Sequence, residues 1–216
     1  MSDEPRVSVV VPAYNEGEHI LGVLDRLFES VKLPCEVLVI VDTPDDTTNP
    51  VTVVTMADGC DDARQIDELA RLVERGVAVA AASRYMPGGQ QVGGPILKSA
   101  MSKFAGRSLR IFAHVGTRDA TNSFKAYSTE FVREVGIDSR DGFEIGIELT
   151  AKAKRLRQPV AEIPTIWLDR QAGVSNFKVA KWVPSYVRWY RFAFGGTLTA
   201  DEVRQRSAKK NHNRES

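Results

Sequence analysis

The chain has 216 residues, 43% hydrophobic and 26% charged, with a formal net charge of +1. That is room for one globular domain with a modest appendage. The balance excludes wholesale disorder and a nucleic-acid binder that works through its overall field. No apolar run approaches the roughly 18 residues of a membrane span. The opening MSDEPRVSVVVPAYNE has acids where a secretion signal needs bases, so a cytoplasmic chain is expected. Cys35 and Cys60 are the only cysteines, too few for a disulfide framework or a thiolate zinc site.

Residues 7–12, VSVVVP, read as a strand buried on both faces and ended by Pro12. A helical pattern follows to about residue 31, with Ile20, Leu21, Leu24, Leu27 and Phe28 on one side, and then a strand at 35–41. Strand, helix, strand at this spacing is a βαβ unit of a parallel sheet. A second unit runs through a strand at 51–56, a helix at 63–74 and a strand at 77–82. Beyond Arg84, glycines and prolines at 87–95 mark a loop. Expected next are a helix at 98–113, a short strand within 119–127, a helix at 143–157 and a strand at 160–167. The segment 176–196 reads as a basic, aromatic helix and 197–216 as a polar, disordered tail.

One joint is too short. Nine residues, 42–50, separate the second strand from the third, and DTPDDTTNP has two prolines and no apolar face. A parallel crossover takes about 10–12 residues and usually a helix. Either these strands are not parallel neighbours, or residues are absent between 50 and 51.

Open parallel sheets bind ligands at the carboxyl ends of their strands. Here those ends supply Pro12, Tyr14 and Glu16, then Asp42, then Asp58, Asp61 and Asp62. A tyrosine and several carboxylates suit a ligand with a base, hydroxyls and a metal-bound diphosphate. Hard oxygen donors favour Mg2+ or Mn2+, which take one or two carboxylates plus substrate phosphates. The competing reading makes Asp61 or Asp62 a helix cap. No GxGxxG or GxxxxGK[ST] is present, which argues against dinucleotide-binding and P-loop enzymes.

These motifs, in this order, resemble glycosyltransferase family 2, and within it the dolichyl- and polyprenyl-phosphate mannosyltransferase branch. VSVVVPAYNEGEHI resembles the family's opening strand and helix, VLVIVD its second strand, and VTVVTMADGCDD the strand with its DxD metal motif. SRYMPGG resembles the acceptor-loop signature SRY-x-x-GG. DATNSFKAYS corresponds to D-x-x-S-G-F-R, and EIPTIWLDRQAGVSNF to E-x-P-x-x-F-x-x-R-x-x-G-x-S. The resemblance implies a GT-A (Rossmann-like) α/β fold over residues 1–175, with a mostly parallel sheet and helices on both faces. It also implies an inverting transfer of a hexose from a GDP- or UDP-sugar to polyprenyl or dolichyl phosphate, or to another phosphorylated acceptor.

Carried over by position, the resemblance implies that Pro12, Tyr14, Glu16 and Asp42 hold the nucleoside and that Asp58 binds the metal, either alone or with compensation from Asp61 or Asp62. Arg84 contacts the sugar or the acceptor phosphate, and Lys125, Arg170, Ser175 and Lys178 serve phosphates. Asp58, Arg84 and Arg170 form the catalytic set. Two departures stand out. Met56 replaces the first Asp of DxD, and Asn122-Ser123-Phe124-Lys125 replaces S-G-F-R. The family also has a helix, strand and helix where joint 42–50 is short, so a shortfall of roughly thirty residues or more is expected there.

Glu144 and Glu148 are candidate bases or helix-surface residues. In the basic segment, Trp182, Tyr186 and Trp189 share a helical face, suited to a membrane surface or to core packing. The alternatives to lipid transfer are a small soluble acceptor and an inactive nucleotide-binding protein.

Overall fold

The structure is a computed structural model that describes residues 5–12, 19–40, 49–139, 144–169 and 179–212. Strands β1 (Val7–Pro12), β2 (Cys35–Ile40), β3 (Val51–Val54), β4 (Val79–Ser83), β6 (Lys125–Ser128) and β7 (Val160–Pro164) form one sheet in the order β2-β1-β3-β6-β4-β7. β1 pairs in parallel with both β2 and β3, β4 pairs in parallel with β7, and β6 alone is antiparallel to its neighbours β3 and β4. β2 and β3 are therefore not neighbours. They flank β1, with joint 42–50 between them in sequence. Asn49, at its end, donates to Ser8 of β1 (3.0 Å) and to Glu36 of β2 (2.6 Å), pinning the entry to β3.

Alternation along the central strands feeds two cores. On one face Val9, Val53, Ala80 and Ala82 pack with α1 (His19–Ser30) and α2 (Ile66–Glu74). α2 buries Ile66, Leu69, Ala70 and Val73, the i, i+3, i+4, i+7 stripe of a helix on a sheet. On the other face Val54, Val79 and Tyr127 meet α4 (Thr129–Val135) and α5 (Ile145–Arg155). α5 is buried on nearly every side and carries a buried ion pair, Glu148 to Lys152, at 2.6 Å.

The loop after β4 leads to α3 (Ile96–Ser108), which runs into one π turn at Leu109–Ala113. A three-residue strand in that loop, β5 (Gln90–Val92), pairs in parallel with β8 (Ile166–Leu168) in a separate two-stranded sheet. The single strand expected at 160–167 is thus two, broken at Thr165, each serving a different sheet.

The C-terminal expectations change most. α6 (Val179–Ala193) turns its aromatics inward: Trp189 is buried, edge-on to Phe192 at 5.6 Å and beneath the Lys152 ammonium. α5 has one side left to cover, and burying a tryptophan there outweighs exposing it. The tail expected to be disordered contains α7 (Ala200–His212). Val203 buries completely and Leu198 almost so, and these two apolar anchors dock a polar segment beside α4. Among the described residues no helix is long and apolar enough to cross a membrane.

Candidate active site

The carboxyl ends of β1, β3 and β4 lie side by side, and the antiparallel β6 begins among them. From β3 the chain runs through Thr55-Met56-Ala57 into a tight turn at Asp58-Gly59. Gly59 has φ +67°, a conformation costly for any side chain, and Asp58 Oδ1 accepts the Cys60 N–H at 3.1 Å. Asp61 then folds back over the strand end. Its Oδ2 accepts from the Met56 N–H (3.1 Å) and the Thr55 hydroxyl (3.2 Å). Asp61 thus places a carboxylate against the backbone at position 56, beside the Asp58 turn.

Burial pushes the Asp61 carboxyl up to about 7, with the Asp58 charge acting in the same direction against the Met56 and Thr55 hydrogen bonds and the Arg84 charge. Two carboxylates held in a poorly solvated turn repel one another, and a bound cation relieves both costs. The donor set fits Mg2+ or Mn2+, which need few protein ligands when a diphosphate completes the shell. Among the described residues no cluster of three or more metal-binding side chains forms, here or elsewhere, so protein ligands to a cation at this turn number two at most. Asp62 has the other expected role: it caps the 3-10 turn before α2, accepting from the Arg64 backbone and side chain.

At the end of β4, Arg84 is committed to a carboxylate not anticipated as a site residue. Its Nε and Nη2 grip Asp119 bidentately (2.7 and 2.9 Å), and its backbone N–H donates to the same group at 3.0 Å. Asp119 is fully buried. Burial alone would raise the Asp119 carboxyl, but the Arg84 charge and hydrogen bonds more than offset it and hold it below the usual range. The guanidinium, raised in turn by Asp119 against its own burial, also reaches Ser102 of α3 at 3.2 Å. The available signal was Asp119 at the head of the DATNSFKAYS motif; what the sequence could not show was its partner.

Lys125 differs from its expected role. Its side chain is fully buried, and Nζ donates to the carbonyls of Asp119, Ala120 and Asn122. Burial pushes the ammonium down to about 7. It organises the 119–122 loop and is enclosed by backbone, so it is not placed to meet a phosphate. Glu148 is likewise spent, accepting from the N–H groups of Asp138 and Ser139 and pairing with Lys152. Glu144, nearly buried at the start of α5, contributes to raising the Tyr186 phenol behind desolvation, so these two side chains are close.

The small sheet covers this ground. Gly89 allows it: a Cβ there would sit 2.3 Å from the Ser83 carbonyl. Gln90 N–H bonds Thr165 O at 2.8 Å, and Leu168 N–H reaches Cys60 O at 3.4 Å, setting β8 beside the Asp58 turn. Tyr85, Gln91 and Ser99 form a hydrogen-bonded chain (3.0 and 2.6 Å) that ties the acceptor-loop motif to α3. Pro12 is exposed at the end of β1. Tyr14, Glu16, Asp42, Arg170, Ser175 and Lys178 lie outside the described residues. The structure thus brings Asp58, Asp61 and Arg84 together at one sheet edge.

No protein-family model matches the chain. It is 31% identical over 144 residues to the polyprenol monophosphomannose synthase of Mycolicibacterium smegmatis, a match covering 61% of this chain and 54% of that one. The chain thus spans about half the length of that relative. The undecaprenyl-phosphate mannosyltransferase of Micrococcus luteus is 25% identical over 228 residues, covering 85% of this chain and 93% of that enzyme. Since 228 aligned positions exceed the 216 residues here, that relative has residues without a counterpart in this chain. Among solved structures, glucosyl-3-phosphoglycerate synthase of Mycobacterium tuberculosis, in complex with Mn2+, UDP and glucosyl-3-phosphoglycerate, superposes with a TM-score of 0.63 at 14% identity. That match covers 90% of this chain and 81% of that one. The chain shares the GT-A fold of that synthase, and the two relatives it matches carry names from the polyprenyl-phosphate branch that its motifs resemble.

Proposed function

We propose that this chain is a metal-dependent, inverting hexosyltransferase that moves a sugar from a nucleotide donor to polyprenyl or dolichyl phosphate at the cytoplasmic surface of a membrane. The observation that carries the reading is Asp61 reaching back to the Met56 N–H, within range of the Asp58 charge, so that two carboxylates stand together past the end of β3. The names of both relatives support a polyprenyl-type phosphate acceptor and make mannose the first sugar to test. The solved neighbour's Mn2+ and UDP support a divalent cation and a nucleoside diphosphate leaving group.

In this reading the acceptor phosphate oxygen attacks the anomeric carbon from the face opposite the leaving group. One C–O bond forms as the other breaks, and the electron pair departs with the nucleoside diphosphate. A cation held by Asp58 and Asp61 would neutralise charge developing on that diphosphate. Arg84, whose guanidinium is fixed in place by Asp119 and Ser102, is assigned in this reading to the sugar or the acceptor phosphate. The acceptor is already an anion and needs no strong base. Glu148, tied to Lys152, is therefore not required for proton transfer. We assign the nucleoside to Pro12, Tyr14, Glu16 and Asp42, and the closing phosphate contacts to Arg170, Ser175 and Lys178. The residues without counterpart fall, in this reading, at joint 42–50, where the sequence is too short for a crossover.

The test is transfer from labelled GDP-mannose, with GDP-glucose, UDP-glucose and UDP-galactose as competitors, to polyprenyl phosphate with and without Mn2+ or Mg2+. Label in the lipid fraction that chelation abolishes is the expected result. Tight metal-dependent nucleotide binding without transfer to any lipid phosphate would overturn the acceptor, and absence of nucleotide binding would overturn the enzyme.

A further inference from the structure

From Tyr85 to Arg118 the chain has no acidic residue, yet it carries Lys98, Lys103, Arg107, Arg110 and Arg118, in a protein whose net charge is +1. α3 occupies the centre of this stretch and inverts the usual arrangement of a surface helix. Its inward side is made of small residues, Ser99, Ser102 and Gly106. A Cβ on Gly106 would lie 2.0 Å from the Arg118 carbonyl, and Ser102 Oγ meets Arg84 and Thr121. Its large apolar side chains point away from the protein. Leu97, Met101 and Phe104 follow at i, i+4 and i+7, and Ile111 and Phe112 continue beyond. Leu97 is 68% exposed, Phe104 71% and Phe112 70%. The bases flank this stripe, with Lys103 and Arg107 exposed. Beside it a cavity of about 520 Å³ is lined by Arg107, Arg110 and Arg118 with Tyr85, Met86 and Ile111, so stripe and cavity share Ile111.

We propose that this face of α3 and its π turn docks on an anionic lipid bilayer, with Phe104 and Phe112 in the headgroup–acyl boundary and Lys103 and Arg107 on lipid phosphates. Charge complementarity selects the occupant. Phenylalanine and leucine bordered by lysine and arginine, with no acid nearby, match a negatively charged interface. A second copy of the chain would bring two such basic margins together, which like-charge repulsion opposes. The polar inner side of α3 touches Arg84, so one helix diameter, about 10 Å, separates the docked surface from the site. A lipid phosphate acceptor would thus be delivered where the proposed function needs it. Vesicle binding itself requires neither donor nor transfer, so the two readings fail separately.

Flotation of the full chain with phosphatidylcholine vesicles, with and without phosphatidylglycerol, is the test. The chain should float with anionic vesicles and be released by high salt. The double variant Phe104→Ser/Phe112→Ser should lower the bound fraction by roughly tenfold without changing the urea midpoint, and Lys103→Glu/Arg107→Glu should abolish the preference for phosphatidylglycerol. Val187→Ser/Phe194→Ser, on the exposed side of α6 and just past its end, should bind within roughly twofold of the wild type. The proposal is overturned if the wild type stays in the soluble fraction or if the α3 double variant floats undiminished. It is equally overturned if the α6 variant alone is released, or if light scattering shows a dimer that the α3 variant converts to a monomer.

Discussion

α6 and α3 are built from the same kinds of residue and use them in opposite directions. α6 sends Trp189 under the Lys152 and Arg188 cations and lets the Tyr190 hydroxyl bond Ser108, so its aromatic side is covered by the chain itself. α3 keeps serines and a glycine inside and leaves Phe104, with Phe112 beyond it, in solvent. The same division runs through the carboxylates. Asp119 is matched in full by Arg84, whereas Asp58 and Asp61 are set against each other. Where a group's needs are met within the fold, its work is structural. Where like charges are set together, or an apolar face is left uncovered by the fold, a group from outside would lower the cost.

The sealed side of this contrast should break most severely. Asp119→Ala leaves the Arg84 guanidinium buried without its carboxylate, and removal of one member of a buried pair costs about 3–5 kcal/mol. Urea denaturation should show it, and a Arg84→Ala/Asp119→Ala double variant should lose clearly less than the sum of the single changes. A strictly additive pair would mean that the two residues do not act as a unit. Trp189→Ala should cost a similar ~3–5 kcal/mol through the cavity it leaves against α5. If its midpoint barely moves, α6 does not cover α5 and the contrast with α3 fails.

Much of this was legible before the structure. β1, α1, β2 and the stretch from β3 to β4 are marked by β-branched runs and one clear helical stripe, and strand ends then point to Asp58, whereas Arg84 enters only through the resemblance of SRYMPGG. What escaped notice lacks a periodic signal. β5 and β8 are three residues each, too short for alternation to show, and each is stabilised by the other from far away in sequence. α7 hangs on Val203 within a polar run. Asp61 was visible as a carboxylate, but its use depends on a turn that brings it back to Met56, which no spacing rule encodes. Helical spacing likewise shows which residues of α3 and α6 share a face; only packing decides whether that face is covered.

The open carboxylates should show their state through pH. The folded Asp61 carboxyl is raised to about 7, above the ordinary ~4 of an unfolded aspartate. Between those values the folded chain holds the proton more tightly than the unfolded one. Its contribution to stability is therefore full below about pH 4 and lost as pH rises through about 7. In metal-free buffer the urea midpoint should fall across that window, and Asp61→Asn should flatten the fall. Added Mn2+ should raise the midpoint of the wild type at pH 7 and do little for Asp61→Asn, because a ligand that binds only the folded state stabilises it. A wild-type midpoint indifferent to both pH and Mn2+ would move Asp61 to the sealed side, with Asp119.

The smallest expected change is the most discriminating. Phe104→Ala removes a side chain that is 71% exposed, so little burial is lost and the midpoint should move by no more than about 0.5 kcal/mol. The same truncation in a sealed core costs several times that, as at Trp189. A large apolar residue that contributes nearly nothing to folding, in one exposed stripe with Leu97, Ile111 and Phe112 and in a segment of five bases and no acids, fits the proposed bilayer contact. Should Phe104→Ala destabilise the protein like a core residue, then α3 is covered by the fold in solution, and the difference between it and α6 disappears.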